Sequence, residues 1–159
     1  MVIVIREIIF EIKVNKQLKI KLLLLLFRLS KFRRKNTLLS VLLLPIHIVY
    51  HLYSQYFISL EMPIDTNVES PIIIWHGSGV VINPASSIGK WVELRNGVVI
   101  GNDGKSDKCP VICNHVSIGA NAVIVGNVII NEKAKVGPCS FVNYNVESSG
   151  RVISCTVKK

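Results

Sequence analysis

The stretch VSIGANAVIVGNVIINEKAKVGPCSFVNYNV, Val116–Val146, decides how the chain folds. Ile118, Ile124, Ile130, Val136 and Val142 stand six residues apart. Four positions after each comes a small or β-branched residue: Ala122, Val128, Ala134, Ser140 and Val146. Gly119 and Gly137 directly follow two of the aliphatics. No α-helix repeats every six residues. A strand repeats every two, so a period of six requires a corner in every hexapeptide. That is the signature of a parallel β-helix. Each hexapeptide makes one short strand and one corner, its aliphatic points inward, and stacked coils bury a continuous apolar column.

Outward from this stretch the same phase takes in Ile64, Ile82, Ile88, Leu94, Ile100 and Ile112. The repeat therefore predicts a mainly β domain over residues 61–147, with about four coils at three hexapeptides each. Ile100 and Ile112 are twelve residues apart, and the polar, turn-rich segment between them predicts a projecting loop over 102–111. Residues 148–159 read as a C-terminal tail, and residues 1–60 as an N-terminal α-helical segment, basic and apolar.

Charge is uneven along the 159 residues. Ten Lys and Arg, against Glu7 and Glu11, fall in residues 1–36, so most of the net charge of +9 sits in the N-terminal arm. Thr37–Leu60 contains no charged residue and is long enough to span a bilayer. Its Pro45, His47, Tyr50, His51, Tyr53, Gln55 and Tyr56 suit an aromatic-rich buried helix better. The expectation is helices packed on the β-helix, their basic face either near anionic lipid or simply solvated with no membrane role. Cys109, Cys113, Cys139 and Cys155 lack zinc-site spacing, which points to reduced thiols and a cytoplasmic protein. Only His76 and His115 of the four histidines lie in the repeat, too few for a three-histidine metal site, so no metal is expected. No nucleic-acid partner is expected either.

One histidine interrupts the pattern. In IIIWHGSGVVINPASSIG, Ile72–Gly89, His76 stands between an apolar run and Gly77, with Gly79 close behind. The glycines clear room for a ligand. A neutral imidazole near pH 7 can take a proton from an attacking hydroxyl and return it to a leaving group. A carboxylate on the other ring nitrogen would fix the tautomer.

LEMP (Leu60–Pro63), HGSGVVIN (His76–Asn83), GNDGKSDKCPVI (Gly101–Ile112) and IGANAVIVGNV (Ile118–Val128) resemble the hexapeptide-repeat acyltransferases. The resemblance is to the serine acetyltransferase branch and its polysaccharide O-acetyltransferase relatives. LFRLS (Leu26–Ser30) and LPIHIVY (Leu44–Tyr50) are similar to the helical lead-in of the polysaccharide enzymes. The resemblance implies a left-handed parallel β-helix, an exception to right-handed crossovers. It also implies acetyl-CoA as donor and a homotrimer with active sites between subunits.

Residue by residue, the resemblance makes His76 the general base. It makes Glu61, fifteen residues earlier, the orienting carboxylate, with Asp65 and Glu69 as nearer candidates. It places Gly101, Ala120 and Pro138 along the pantetheine arm, although Pro138 has no N–H to give. The usual ending that meets the nucleotide is absent, leaving Arg151, Lys158 or Lys159 for the phosphates. Lys108 and Cys109 stand where serine acetyltransferases carry Arg-His, and Trp75 where they carry an acidic residue. An indole suits a sugar face better than an ammonium group. The expected activity is O-acetylation of a saccharide in surface polysaccharide synthesis, in the cytoplasm or at the inner face of the membrane. The alternatives are serine O-acetylation and a catalytically weak trimeric scaffold.

Overall fold

The structure is a computed structural model. It describes residues 2–35 and 37–152, so Cys155, Lys158 and Lys159 lie outside the described residues. Two-residue and three-residue strands stack in parallel register on three faces of a solenoid. The first face holds β1 (Asn67–Val68), β4 (Ser87–Ile88), β7 (Val111–Ile112) and β10 (Ile129–Ile130). The second holds β2 (Ile73–Ile74), β5 (Glu93–Leu94), β8 (Ser117–Ile118), β11 (Lys135–Val136) and β13 (Arg151–Val152). The third holds β3 (Val81–Ile82), β6 (Val99–Gly101), β9 (Val123–Val125) and β12 (Phe141–Val142). Among the described residues this makes four coils and one further strand, the parallel β-helix that the hexapeptide period predicts.

The column inside is built from pairs two residues apart: Val80/Ile82, Ile88 with Ser86, Val92/Leu94, Val98/Ile100, Val116/Ile118, Ala122/Ile124, all buried. Every strand residue before the inward one faces out, as the pleat requires. Each fully buried aliphatic contributes roughly 1.5–3 kcal/mol. At one corner Trp91, His115, Lys133 and Ser149 stack with φ near 60° (60°, 60°, 61° and 58°), so the chain turns there through left-handed backbone.

The first coil corrects the sequence reading. Its inward residues are Leu60/Met62, Thr66/Val68 and Ile72/Ile74. From Ile74 to Ile82 is eight residues rather than six. The phase therefore slips by two at His76, and Ile64, counted as inward, lies at a half-buried corner. Two smaller boundaries also move. Val111 belongs to β7, so the loop is 102–110. β13 pairs with β11, which carries the solenoid past residue 147 into the segment read as tail.

The N-terminal segment forms α1 (Val2–Val14), α2 (Leu18–Lys31), α3 (Thr37–Leu42) and α4 (Leu44–Leu52), closed by a π turn over Tyr53–Ile58. Ile20, Leu23, Leu24 and Phe27 form one buried stripe of α2 at helical spacing. A solenoid has an open end, where backbone groups of the first coil lack a neighbouring strand. Here side chains of the helices take that strand's place. Asn15 donates to Ile72 O at 2.9 Å and accepts from Ile74 N at 3.0 Å. Glu11 accepts from Ile72 N at 2.9 Å. Arg28 donates to Val68 O at 2.6 Å and Glu69 O at 3.0 Å, and Lys31 to Thr66 O at 2.7 Å. Glu11 and Arg28 are both buried and pair at 2.7 Å.

The uncharged run Thr37–Leu60 is not the buried helix expected. α3 has no buried residue, and α4 buries only Tyr50. Leu38, Tyr56 and Phe57 are 77, 76 and 79% exposed. No helix among the described residues is long and apolar enough to cross a membrane.

Candidate active site

His76 sits in the two-residue insertion, at the corner between the second and third faces. Its φ is 70°, and Gly77 and Gly79 follow at 79° and 72°. Three positive-φ residues in four make a protruding turn, and the imidazole is exposed at its tip. Gly77 suits the turn through its φ of 79°, which L side chains rarely adopt, and a Cβ there would stand 2.9 Å from the tip of Ile20, so the turn lies tight against α2.

The ring Nδ1 lies 3.1 Å from Nε2 of Gln17, which precedes α2. The dyad expected with Glu61 is not formed. Glu61 pairs through its backbone with Val81, while its carboxylate makes no hydrogen bond or ion pair among the described residues. It borders a separate cavity of about 320 Å³ whose lining includes His47, Tyr50, His51 and Asp65. In that cavity burial, then Arg33 and His51, lower the His47 pKa, opposed by Asp65. The Nδ1 of His47 is buried and has no hydrogen-bond partner among the described residues.

Trp75 is half-buried beside His76, but its polar edge is already engaged. Its indole N–H donates to Glu93 Oε2 at 3.2 Å, and Lys16 Nζ lies 5.7 Å from the ring centroid. The indole N–H is therefore already committed to Glu93, leaving the ring face as what Trp75 offers an acceptor.

The loop 102–110 leaves the opposite edge of the third face, so within one chain Lys108 and Cys109 are not brought to His76. Lys108 is exposed. Cys109 is 8% exposed at the loop base, 3.8 Å from Asp107 O, packed rather than presented. Asp103 organises the loop, accepting from the backbone N–H groups of Lys105 and Ser106, which hold its carboxyl below the usual range.

Ala120 and Pro138 meet at the His76 corner, two and three coils further on, where Cys139 N donates to Ala120 O at 2.8 Å. Gly119 is locked beneath them, because a Cβ would fall 2.4 Å from Pro138 N. Gly101 stands at the other edge of the third face, apart from these two. Along the second face runs a groove of about 460 Å³, lined by Arg95, Lys135 and Arg151 together with Ser117, Gly119 and Pro138. Three cations with backbone-lined walls can hold a polyphosphate. Of these three cations the sequence pointed only to Arg151, alongside Lys158 and Lys159, which lie outside the described residues. Arg95 and Lys135 were missed, as was Gln17, since no local pattern marks an outward residue as facing a groove. Among the described residues no three His, Cys, Asp or Glu side chains gather as a metal site.

No family model matches the sequence. The chain is 31% identical over 125 residues to the colanic acid biosynthesis acetyltransferase WcaB of Escherichia coli K12, covering 78% of this chain and 77% of WcaB. It is 36% identical over 84 residues to serine acetyltransferase of Synechococcus elongatus, covering 52% of this chain and 34% of that protein. Among solved structures, serine acetyltransferase isoform 3 of Entamoeba histolytica superposes with a TM-score of 0.67 at 23% identity, over 86% of this chain and 48% of that one. The chain thus spans about half the length of that structure, and the likeness at that identity is one of fold.

Proposed function

Because the chain belongs to the hexapeptide-repeat acyltransferases, in the branch of WcaB and the serine acetyltransferases, and is itself an acyltransferase, we propose that it transfers an acetyl group from acetyl-CoA to a sugar hydroxyl of a surface polysaccharide or its precursor. The observation that carries this reading is His76 lifted out of the coil by the two-residue insertion, exposed on the corner that Ala120 and Pro138 share. The acceptor hydroxyl gives its proton to His76 Nε2 as its oxygen attacks the thioester carbonyl. When the C–S bond breaks, the imidazolium returns the proton to the thiolate, releasing CoA. Arg95, Lys135 and Arg151 in the groove meet the donor's phosphates.

A sugar is favoured over serine by the residue before the base, where Trp75 offers no carboxylate to an amino acid's ammonium. WcaB, by name a colanic acid biosynthesis acetyltransferase, also matches across more of its own length than the serine enzyme does. Serine O-acetylation is the second reading, supported by the serine acetyltransferase relatives. CoA release measured with free serine and with a panel of sugars separates them. Turnover with a sugar and little with serine is expected; efficient serine acetylation overturns the sugar reading.

The reading takes a homotrimer as the working unit, with Lys108 and Cys109 of one subunit facing His76 of the next. It also takes the inner face of the membrane as the workplace, where the exposed apolar residues of α3 and α4 and the basic arm meet anionic lipid.

A further inference from the structure

For Nε2 of His76 to act as a base, the neutral ring must keep its proton on Nδ1, and that N–H needs an acceptor. The residue placed at Nδ1 is Gln17, at 3.1 Å. Three observations show that this side chain is mounted for the contact. Gln17 is the N-cap of α2, yet its carboxamide makes no capping hydrogen bond. Its backbone is held, its carbonyl accepting from Ile20 N at 3.1 Å and Lys21 N at 3.0 Å. On either side Asn15 is clamped to Ile72 and Ile74, and Ile20 packs on the turn at Gly77. The link between α1 and α2 is thereby fixed over the base.

We propose that Gln17 is the positioning residue of His76, its side-chain amide holding the ring and its Oε1 accepting the Nδ1 proton while Nε2 does the chemistry. This rests on the reading of His76 as general base. A carboxamide has both ends needed. With its NH₂ toward Nδ1, as found, it donates to the bare nitrogen and the ring proton sits on Nε2. A half-turn about its last torsion presents Oε1, which accepts from Nδ1–H and frees Nε2. A neutral orienting group also leaves the imidazolium without an anion beside it. The elements around His76 carry Lys16 on the α1–α2 link, Lys19, Lys21, Arg28 and Lys31 on α2, Glu61, Asp65 and Glu69 on the first coil, and Glu93 and Arg95 around β5, with Arg28 paired to Glu11 and Lys31 bonded to Thr66 O. Of these, Lys16 and Glu93 are engaged with Trp75. The helical segment is on this view part of the active site.

The test compares the full-length protein with Gln17→Ala, Gln17→Glu, Glu61→Gln and His76→Ala. Gln17→Ala is expected to lower kcat roughly tenfold or more with the KM for acetyl-CoA little changed, and Glu61→Gln to cost less. Gln17→Glu places an anion at Nδ1, which favours the imidazolium. A base must be neutral, so the acidic limb of kcat/KM moves to higher pH by about one unit. Nitrogen-15 NMR of the histidine rings, which needs no acceptor, should show Gln17→Ala shifting the tautomer balance of His76 and Gln17→Glu enforcing Nδ1–H. Circular dichroism and thermal unfolding confirm that the variants are folded. If His76→Ala abolishes turnover while Gln17→Ala leaves kcat, the pH limb and the His76 ring signals unchanged, this inference is overturned and the base stands. If His76→Ala retains full turnover, the base itself fails. Where no acceptor turns over, unchanged ring signals in both Gln17 variants overturn the inference on their own.

Discussion

At the scale of single residues, the insertion at His76 sets an exposed imidazole apart from the buried aliphatic column. Counted back in sixes from Ile82 and Ile88, position 76 would point into the aliphatic column. The two extra residues turn it outward through left-handed backbone. His76→Ala should lower turnover by roughly 10²–10⁴-fold while leaving CoA affinity unchanged; a rate within twofold of the parent would sink the assignment. Gly119→Ala tests a different constraint, since the added Cβ meets backbone at 2.4 Å that no rotamer can move. It should unfold at markedly lower denaturant, and an unchanged urea midpoint would show the corner to be plastic. His47 gives a pH signature. Its pKa is lowered from 6.5 in the fold, chiefly by burial, so the unfolded chain takes up the proton more readily. Stability should therefore be fully present above about pH 6.5 and decline as pH falls below it, and His47→Gln should flatten that decline. Parallel pH profiles of unfolding for both proteins would refute this role.

At the scale of elements, the helical segment does what another coil would do. A strand end offers backbone donors and acceptors at fixed spacing, and Glu11, Asn15 and Arg28 reproduce enough of them to close the first coil. The cost is a buried ion pair, favourable only while both partners remain. Arg28→Ala strands the Glu11 carboxylate and should destabilise by about 3–5 kcal/mol. The pair Glu11→Gln with Arg28→Met, which removes both charges, should recover part of that loss; equal urea midpoints for the single and double variants would contradict the coupling. The outer helices invite a separate test. α3 and α4 expose Leu38, Val41, Leu42, Ile48 and Leu52 to solvent. Vesicles with anionic lipid should sediment the protein, and Leu38→Ser with Leu42→Ser should release it. Equal recovery in the supernatant with and without vesicles would remove the membrane from the reading.

At the scale of the molecule, the third face carries Val81, Val99, Val123 and Phe141 in one outward register, with Phe141 61% exposed. Such a stripe suits a subunit interface, and light scattering should report a homotrimer that Phe141→Lys weakens. A monomer with full turnover would exclude a site shared between subunits. The amino-acid sequence by itself determined the solenoid, the inward residues from Val80 onward, the projecting loop and the histidine that breaks the pattern. Those features are local: strand alternation has period two, a corner recurs every six, and any departure shows in the spacing. It did not reveal that the phase slips by two at His76, because Ile64 falls on the later phase by coincidence. Nor did it reveal that Gln17 reaches His76 across 59 residues, or that Trp75 is bonded to Glu93 and covered by Lys16. The groove of Arg95, Lys135 and Arg151 was likewise invisible. Stacking brings together residues 16 to 24 positions apart, and the cap brings side chains from a different element altogether. Which outward side chains meet is decided by how coils and helices are laid against each other, and only the tertiary structure holds that information.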